Sequence, residues 1–292
     1  MSGVGLVAVT GATGGLGGRV ARRLAERGVR QRLVVRDPGR APALDGAEVA
    51  TVTAGYDDAD GLRRALEGAG TLFMVSASED PDRVRLHTTV VQAAVDAGVG
   101  RVVYTSFYGA GPECTFTFGR DHWHTEELIR GSGLRHTFLR DNLYLDFVPL
   151  VVGADGVIRG PAGDGRVAAV ARDDIADAAV AVLGASGEHE GRTYDMTGPA
   201  ALTMGEVAEE LSRAAGRTVT YQAETLEEAY ASRASYGAPD WQVAGWVTTY
   251  VAIANGDLEA VSGDVAALTG HPPMSLAEFL RRNPDSLRRL RS

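Results

Sequence analysis

The sequence predicts an α/β fold in which a doubly wound parallel sheet is joined to a smaller, mostly helical C-terminal domain. Three observations predict it. The chain opens on an apolar strand that runs into a glycine-rich turn and a helix. Strand-like and helix-like segments then alternate through the first half, and beyond Asn142 the alternation loosens into helical segments. Each crossover between parallel strands needs a covering helix, so this alternation is the pattern that a sheet covered on both faces leaves in a sequence.

The first strand is Leu6-Val7-Ala8-Val9, followed by Thr10-Gly11-Ala12-Thr13-Gly14-Gly15-Leu16-Gly17-Gly18 and a helical segment from Arg19 to Arg27. The second strand, Arg32–Val35, ends at Arg36. A strand at Val49–Val52, a helical Asp60–Glu67 and a strand at Thr71–Val75 come next. In the helix Pro81–Ala97, Val84, His87 or Thr88, Val91 and Val95 recur at helical spacing. The strand Arg101–Ser106, a loop rich in glycine, proline and aromatics, a helix beginning near Asp121 and the strand His136–Arg140 complete six strands. Residues 146–165 read as a short helix and a glycine-rich turn. Asp173 or Asp174 caps a helix running to Leu183, and Thr193–Met196 is a further strand. Thr203 begins a capping box with Glu206, ahead of a helix to Ala214, and the remainder is mostly helical. The expected domains are residues 1–145 plus 166–195, a Rossmann-type nucleotide-binding domain, and 146–165 plus 196–292, a substrate or lid domain.

Composition narrows the function. The 292 residues are 45% hydrophobic and 23% charged, as in an ordinary globular protein. A net charge of −9 argues against binding to nucleic acid or to an anionic membrane surface. No apolar run approaches a membrane span. The Val4–Val9 stretch is too short, and lacks the basic leader, of a secretory signal, so the expected location is the cytoplasm. The single cysteine, Cys114, excludes an internal disulfide framework and a multi-cysteine metal site. All 29 basic residues are arginine. A Walker-type lysine loop, a Schiff-base lysine and a Tyr-x-x-x-Lys catalytic pair are therefore excluded.

The opening unit of strand, glycine turn and helix, with the spacing Gly11-x-x-Gly14-x-x-Gly17, points to a dinucleotide. Glycines let the backbone approach a pyrophosphate, and the helix N-terminus offers it free N–H groups. In such a fold the end of the second strand reads the adenosine ribose. A carboxylate there accepts from a 2′-hydroxyl and repels a 2′-phosphate, whereas an arginine does the reverse. Arg36 stands at that point, which makes NADP(H) the expected cofactor. Ser76-Ala77-Ser78 and Thr105-Ser106 are small residues at two further strand ends, where they permit close approach to a ribose and a nicotinamide.

Thr10-Gly-Ala-Thr-Gly-Gly-Leu-Gly, Val35-Arg36-Asp37-Pro38, Tyr104-Thr105-Ser106, Leu139-Arg140-Asp141-Asn142 and Gly163-Asp164-Gly165 together resemble the NmrA-like branch of the atypical short-chain dehydrogenases. Within it the chain is most similar to the type-2 NADPH:quinone oxidoreductases. The resemblance implies NADPH bound along Gly11, Ala12, Thr13, Gly14, Gly15, Leu16 and Arg36. It implies a nicotinamide near Ser76, Ala77, Ser78, Ser106, Asn142, Leu143 and Tyr144, and a small C-terminal domain closing over the substrate. Two positions depart from the family pattern. Gly55 replaces the acidic residue often found after the third strand, and Glu127 stands where quinone reductase relatives tend to carry a lysine.

Hydride transfer belongs to the cofactor, and the protein must orient the acceptor and manage a proton. His122 occupies the position of a helix-opening lysine in related isoflavone-type reductases, and an imidazole with an ordinary pKa suits proton donation. Tyr108 and Tyr144 are the alternatives. His122 and His124 diverge on a helix, which disfavours a zinc site. Reduction of a quinone leaves a delocalised anion that needs less acid than an alkoxide, so the missing Tyr/Lys pair favours a quinone or another conjugated acceptor. Phe107, Tyr108, Phe116, Phe118, Trp123, Tyr144, Phe147, Trp241 and Trp246 can form either a flat apolar pocket or ordinary core. Two other functions fit the same sequence, namely a reductase or isomerase dedicated to one biosynthetic intermediate, and a non-catalytic NADP(H)-sensing regulator. The expected partner is a small aromatic or conjugated substrate, for a chain that acts as a monomer or homodimer.

Overall fold

The computed structural model describes residues 5–185 and 187–291, so Val4 of the leading apolar stretch lies outside the described residues. The elements follow the alternation expected. They are β1 (Val7–Thr10), α1 (Gly17–Glu26), β2 (Gln31–Val35), β3 (Ala47–Thr51), α2 (Ala59–Leu66), β4 (Thr71–Met74), α3 (Arg83–Asp96), β5 (Arg101–Phe107), α4 (Thr117–Gly131) and β6 (Arg135–Asp141). After a short 3-10 turn at Leu145–Leu150 come β7 (Val157–Gly160), β8 (Arg166–Val167), α5 (Arg172–Gly184) and β9 (Arg192–Met196). Then follow β10 (Leu202–Thr203), α6 (Met204–Ala215), β11 (Thr220–Ala223), α7 (Leu226–Arg233), α8 (Asp240–Ala254), α9 (Asp264–Thr269) and α10 (Leu276–Arg282).

The main sheet has seven strands in the order β3-β2-β1-β4-β5-β6-β9. The pairings from β3 through β5 are parallel, with Val9 opposite both Leu33 and Phe73. The chain winds outward from β1 to β3, then returns to lay β4 on the other side of β1. Order therefore reverses between β1 and β4, and a ligand site is expected beyond the carboxyl ends of those two strands. Their central residues are fully apolar because helices cover both faces. Ala8, Leu72, Met74, Tyr104 and Phe138 pack with Leu62 and Leu66 of α2 and Val90 and Ala94 of α3.

The chain forms two compact units, residues 1–112, 121–140 and 172–194 in the first and 113–120, 141–171 and 195–292 in the second. The second unit has its own core, in which Ala229 of α7 meets Val243 and Val247 of α8. Thr203 caps α6 in the capping box with Glu206 that its spacing predicts.

Four expectations are corrected. The segment 146–165 holds a strand, β7, which pairs parallel with β11, an element the sequence leaves inside a helical region. Each has only four residues and lies among glycines or polar residues, so neither leaves a readable period. Helix α4 begins at Thr117 rather than near Asp121, because Thr248 accepts a hydrogen bond from the Thr117 amide 3.3 Å away and holds the extra turn. Helix α5 begins at Arg172, so Asp173 and Asp174 lie in its first turn instead of capping it. Asp173 and Asp177 there receive Arg23 of α1 at 2.7 and 2.6 Å. No helix of the described residues is long and apolar enough to cross a membrane.

Candidate cofactor site

The site lies in the first unit, where β1 turns into α1. Gly11 takes the left-handed conformation, φ 64°, and Gly14 closes the turn with a 2.8 Å bond from its amide to the Gly11 carbonyl. Close approach fixes Gly17. A Cβ there would sit 2.4 Å from the Gly11 oxygen and 2.8 Å from that of Thr10, so only glycine lets α1 start against the strand it leaves. The N-terminus of α1 has no side-chain cap from Leu16 and no acidic residue in its first turn. The Gly18 amide donates to the Gly14 carbonyl at 3.1 Å, and no side chain or carboxylate competes with an anion for the rest of the first turn.

Two arginines bear on this part of the unit. Arg36, at the end of β2, is exposed and makes no hydrogen bond or ion pair with any described residue. Its aliphatic stem lies across Gly55, where a Cβ would come within 3.0 Å of Arg36 Cδ. Gly55 also has φ +65°, so a glycine at this position gives the arginine its path. Arg172, at the start of α5, reaches the turn itself. Its Nη1 lies 2.7 Å from the Cβ position of Gly15. Sequence reasoning missed Arg172 because it lies far along the chain in a helix read only for its caps and alanines.

The chain leaving β4 passes beside the turn, held by side chains rather than by strand pairing. The Val75 amide donates to Thr10 Oγ1 at 2.9 Å, and Tyr56 donates to the Val75 carbonyl at 2.6 Å. The Ser76 amide donates to Thr105 Oγ1 at 3.0 Å. The Ala77 amide donates to His87 Nε2 at 2.9 Å, and Arg83 Nε donates to the Ala77 carbonyl at 3.0 Å. Desolvation pushes the Tyr56 phenol up to about 12, which keeps it a neutral donor. Ser76 and Ala77 are half-buried and Ser78 is exposed.

His122 is in the second turn of α4 instead of opening the helix, and it is 6% exposed. Arg83 Nη2 donates to its Nε2 at 3.0 Å, because a guanidinium has no acceptor. Nδ1 must then carry the hydrogen, which it shares with the Tyr104 oxygen at 2.9 Å. Burial, and next the Arg83 charge, hold this imidazole well below its ordinary pKa. The ordinary titration expected of His122 is therefore not what the structure provides. His122 is neutral, with both nitrogens engaged.

The remaining expected site residues divide between the units. Ser106 at the end of β5 is buried, and its hydroxyl donates to Glu126 at 2.6 Å, so that hydrogen is directed into the unit. Tyr108 follows β5 and is half-buried. Asn142, Leu143 and Tyr144 belong to the second unit. There Asn142 Nδ2 donates to the Leu258 carbonyl at 3.0 Å while its oxygen accepts from the Leu143 amide. The Tyr144 hydroxyl donates to Asp141 at 2.9 Å. The aromatics of the 107–118 loop are split in the same way. Phe107 lies against His122 in the first unit, and Phe116, Phe118 and Trp241 cluster in the second. Among the described residues no group of three or more His, Cys, Asp or Glu could hold a metal ion.

Residues 4–259 match the model of the NmrA-like family. The chain belongs to the NmrA-like family. Quinone oxidoreductase 2 of Escherichia coli is 35% identical over 94% of this chain and 96% of its own. A crystal structure of that NADPH-dependent enzyme complexed with NADPH superposes with a TM-score of 0.85 at 33% identity, covering 94% of this chain and 99% of that one. The NAD(P)H azoreductase of Xenophilus azovorans is 33% identical over 94% of this chain and 97% of its own. The crystal structure of Citrobacter sp. triphenylmethane reductase complexed with NADP(H) gives a TM-score of 0.82 at 32% identity, covering 94% and 99%.

Proposed function

We propose that this protein is an NADPH-dependent reductase that transfers hydride to a quinone or another conjugated, electron-poor acceptor. The observation that carries the cofactor is Arg36, an unpaired guanidinium laid over a glycine at the strand end where the adenosine ribose is read. The acceptor class is supported by the relatives. One is a quinone oxidoreductase, one an azoreductase and one a triphenylmethane reductase, and all three names point to conjugated acceptors.

Bound NADPH supplies the hydride. The chain's own residues bind, orient and shield. Gly11, Ala12, Thr13, Gly14, Gly15 and Leu16 present backbone to the pyrophosphate, with Arg172 adding charge beside Gly15. Arg36 selects the 2′-phosphate. Ser76, Ala77, Ser78 and Ser106 line the nicotinamide side of the first unit, and Asn142 and Leu143 are assigned to the same role from the second. The second unit is assigned to the acceptor, and within it the Tyr144 and Phe147 rings lie 5.7 Å apart. Tyr108 and Tyr144 are the phenols proposed for proton donation. His122 is reassigned from proton donor to neutral support for Arg83.

Loss of absorbance at 340 nm with NADPH across quinones, azo and triphenylmethane dyes, enones and simple ketones tests the proposal. Turnover is expected with the conjugated acceptors and not with simple ketones. Tight NADPH binding without turnover of any acceptor would instead identify a sensor.

A further inference from the structure

Beyond Met74 the chain has left the sheet, yet the N–H and C=O of Val75 and Ala77 and the N–H of Ser76 are all bonded by side chains. Two of those side chains come from one helix and meet the backbone of one residue. His87 and Arg83 of α3 bond the N–H and C=O of Ala77 at 2.9 and 3.0 Å. We infer that His87 and Arg83 are positioning residues for the cofactor, clamping the two peptide groups that flank the Ala77 Cα so that Ser76–Ser78 keeps one conformation before NADPH arrives. The inference rests on the NADPH reading of this loop.

The clamp is determined by its own hydrogen-bond logic. An amide can only donate, so His87 must present a lone pair at Nε2 and carry its hydrogen on Nδ1. Nδ1 is 2.7 Å from Thr125 Oγ1, whose own hydrogen goes to the Asp121 carbonyl at 2.7 Å, leaving that oxygen free to accept. The imidazole is therefore neutral and in one tautomer. It is fully buried, and desolvation followed by the Arg83 charge pushes its pKa down to about 3. Arg83 is fixed in turn by three groups, the Ala77 carbonyl, His122 Nε2 at 3.0 Å and the Asp121 carboxylate at 4.0 Å. His122 thus acts at one remove, by holding the arginine that holds the loop. A loop ordered in advance loses less conformational entropy on binding, so the clamp should appear in cofactor affinity more than in the chemical step.

The test compares His87→Leu, which strands the Ala77 N–H, with His87→Gln, whose amide oxygen can reach the position of Nε2. With NADPH and a quinone that turns over, His87→Leu should raise the Kd and KM for NADPH about tenfold, the effect of one unpaired buried donor, while kcat falls by a smaller factor. His87→Gln should recover most of that loss, and the KM for the quinone should stay near the wild-type value in both. Hydrogen exchange on the wild type without cofactor supplies a measurement that no folding failure can confound. The Ala77 amide, outside every strand, should exchange at least about a hundredfold more slowly than an unstructured amide. An unprotected Ala77 amide, or equal NADPH affinity in wild type and both variants, overturns the inference and leaves the NADPH reading standing. Absence of NADPH binding by the wild type overturns both.

Discussion

Arg36 is the side chain proposed to set cofactor choice. Among the described residues it has no hydrogen-bond or ion-pair partner, so its charge is available to a ligand, and its stem is already aligned along Gly55. A charge-assisted hydrogen bond contributes about 1.5–3 kcal/mol, roughly one to two decades of preference. Arg36→Ala should weaken NADPH binding at least about tenfold and leave NADH binding almost unchanged, as measured by titration of the two cofactors. Equal losses for both would place the arginine outside the 2′-phosphate site. The place of Arg36 was legible because it is local, the end of the second strand. Arg172 was not, since its role depends on α5 packing against α1, where Arg23 meets Asp173 and Asp177. His87 was read only as part of the helical stripe of α3. Burial at a helix face looks the same in a sequence whether the side chain fills space or accepts a hydrogen bond.

At the scale of elements, β5, α4 and β6 are tied together by one carboxylate. Glu126 is fully buried and accepts from Ser106, from Arg140 at 2.8 and 2.7 Å and from Arg130 at 3.0 Å. Removing one partner from a buried ionic cluster leaves uncompensated charge, which costs about 3–5 kcal/mol. Glu126→Leu should therefore lower the stability measured by urea unfolding by roughly that amount. A change below about 1 kcal/mol would mean that the arginines find water, as surface pairs do. The strands β1 to β6 were readable because an apolar run between a turn signal and a helix has few other interpretations. Strands β7 and β11 were not, because the register Thr220↔Val157 to Ala223↔Gly160 joins two short segments that carry no local signal. Helix α6 was readable to within a residue at both ends, since its capping box is a local device. The same device at Thr225 and Glu228 starts α7 and was equally available.

At the scale of the whole molecule, two buried neutral histidines link the fold to pH. His87 faces Arg83, Tyr104 and Tyr56, and His122 faces Arg83, Tyr104 and Phe107. The only charge among those neighbours is positive, and it opposes protonation in the folded chain. In the unfolded chain both rings titrate near pH 6.5. Below that pH the unfolded state binds more protons than the folded one, so stability must fall as pH falls. The contribution is complete above about pH 6.5, and the part due to His87 is lost progressively as pH drops toward about 3. Each histidine contributes up to about 1.4 kcal/mol per pH unit in that window, and the pair together roughly twice this. Acid sensitivity should therefore begin above the range in which carboxylates titrate. Urea midpoints compared at pH 7 and pH 5 measure it, and His87→Gln should show a shallower slope than the wild type because one titrating ring is gone. A midpoint that does not move between those pH values would mean that the rings are hydrated in solution, and the tautomer argument for the Ala77 clamp would lose its basis.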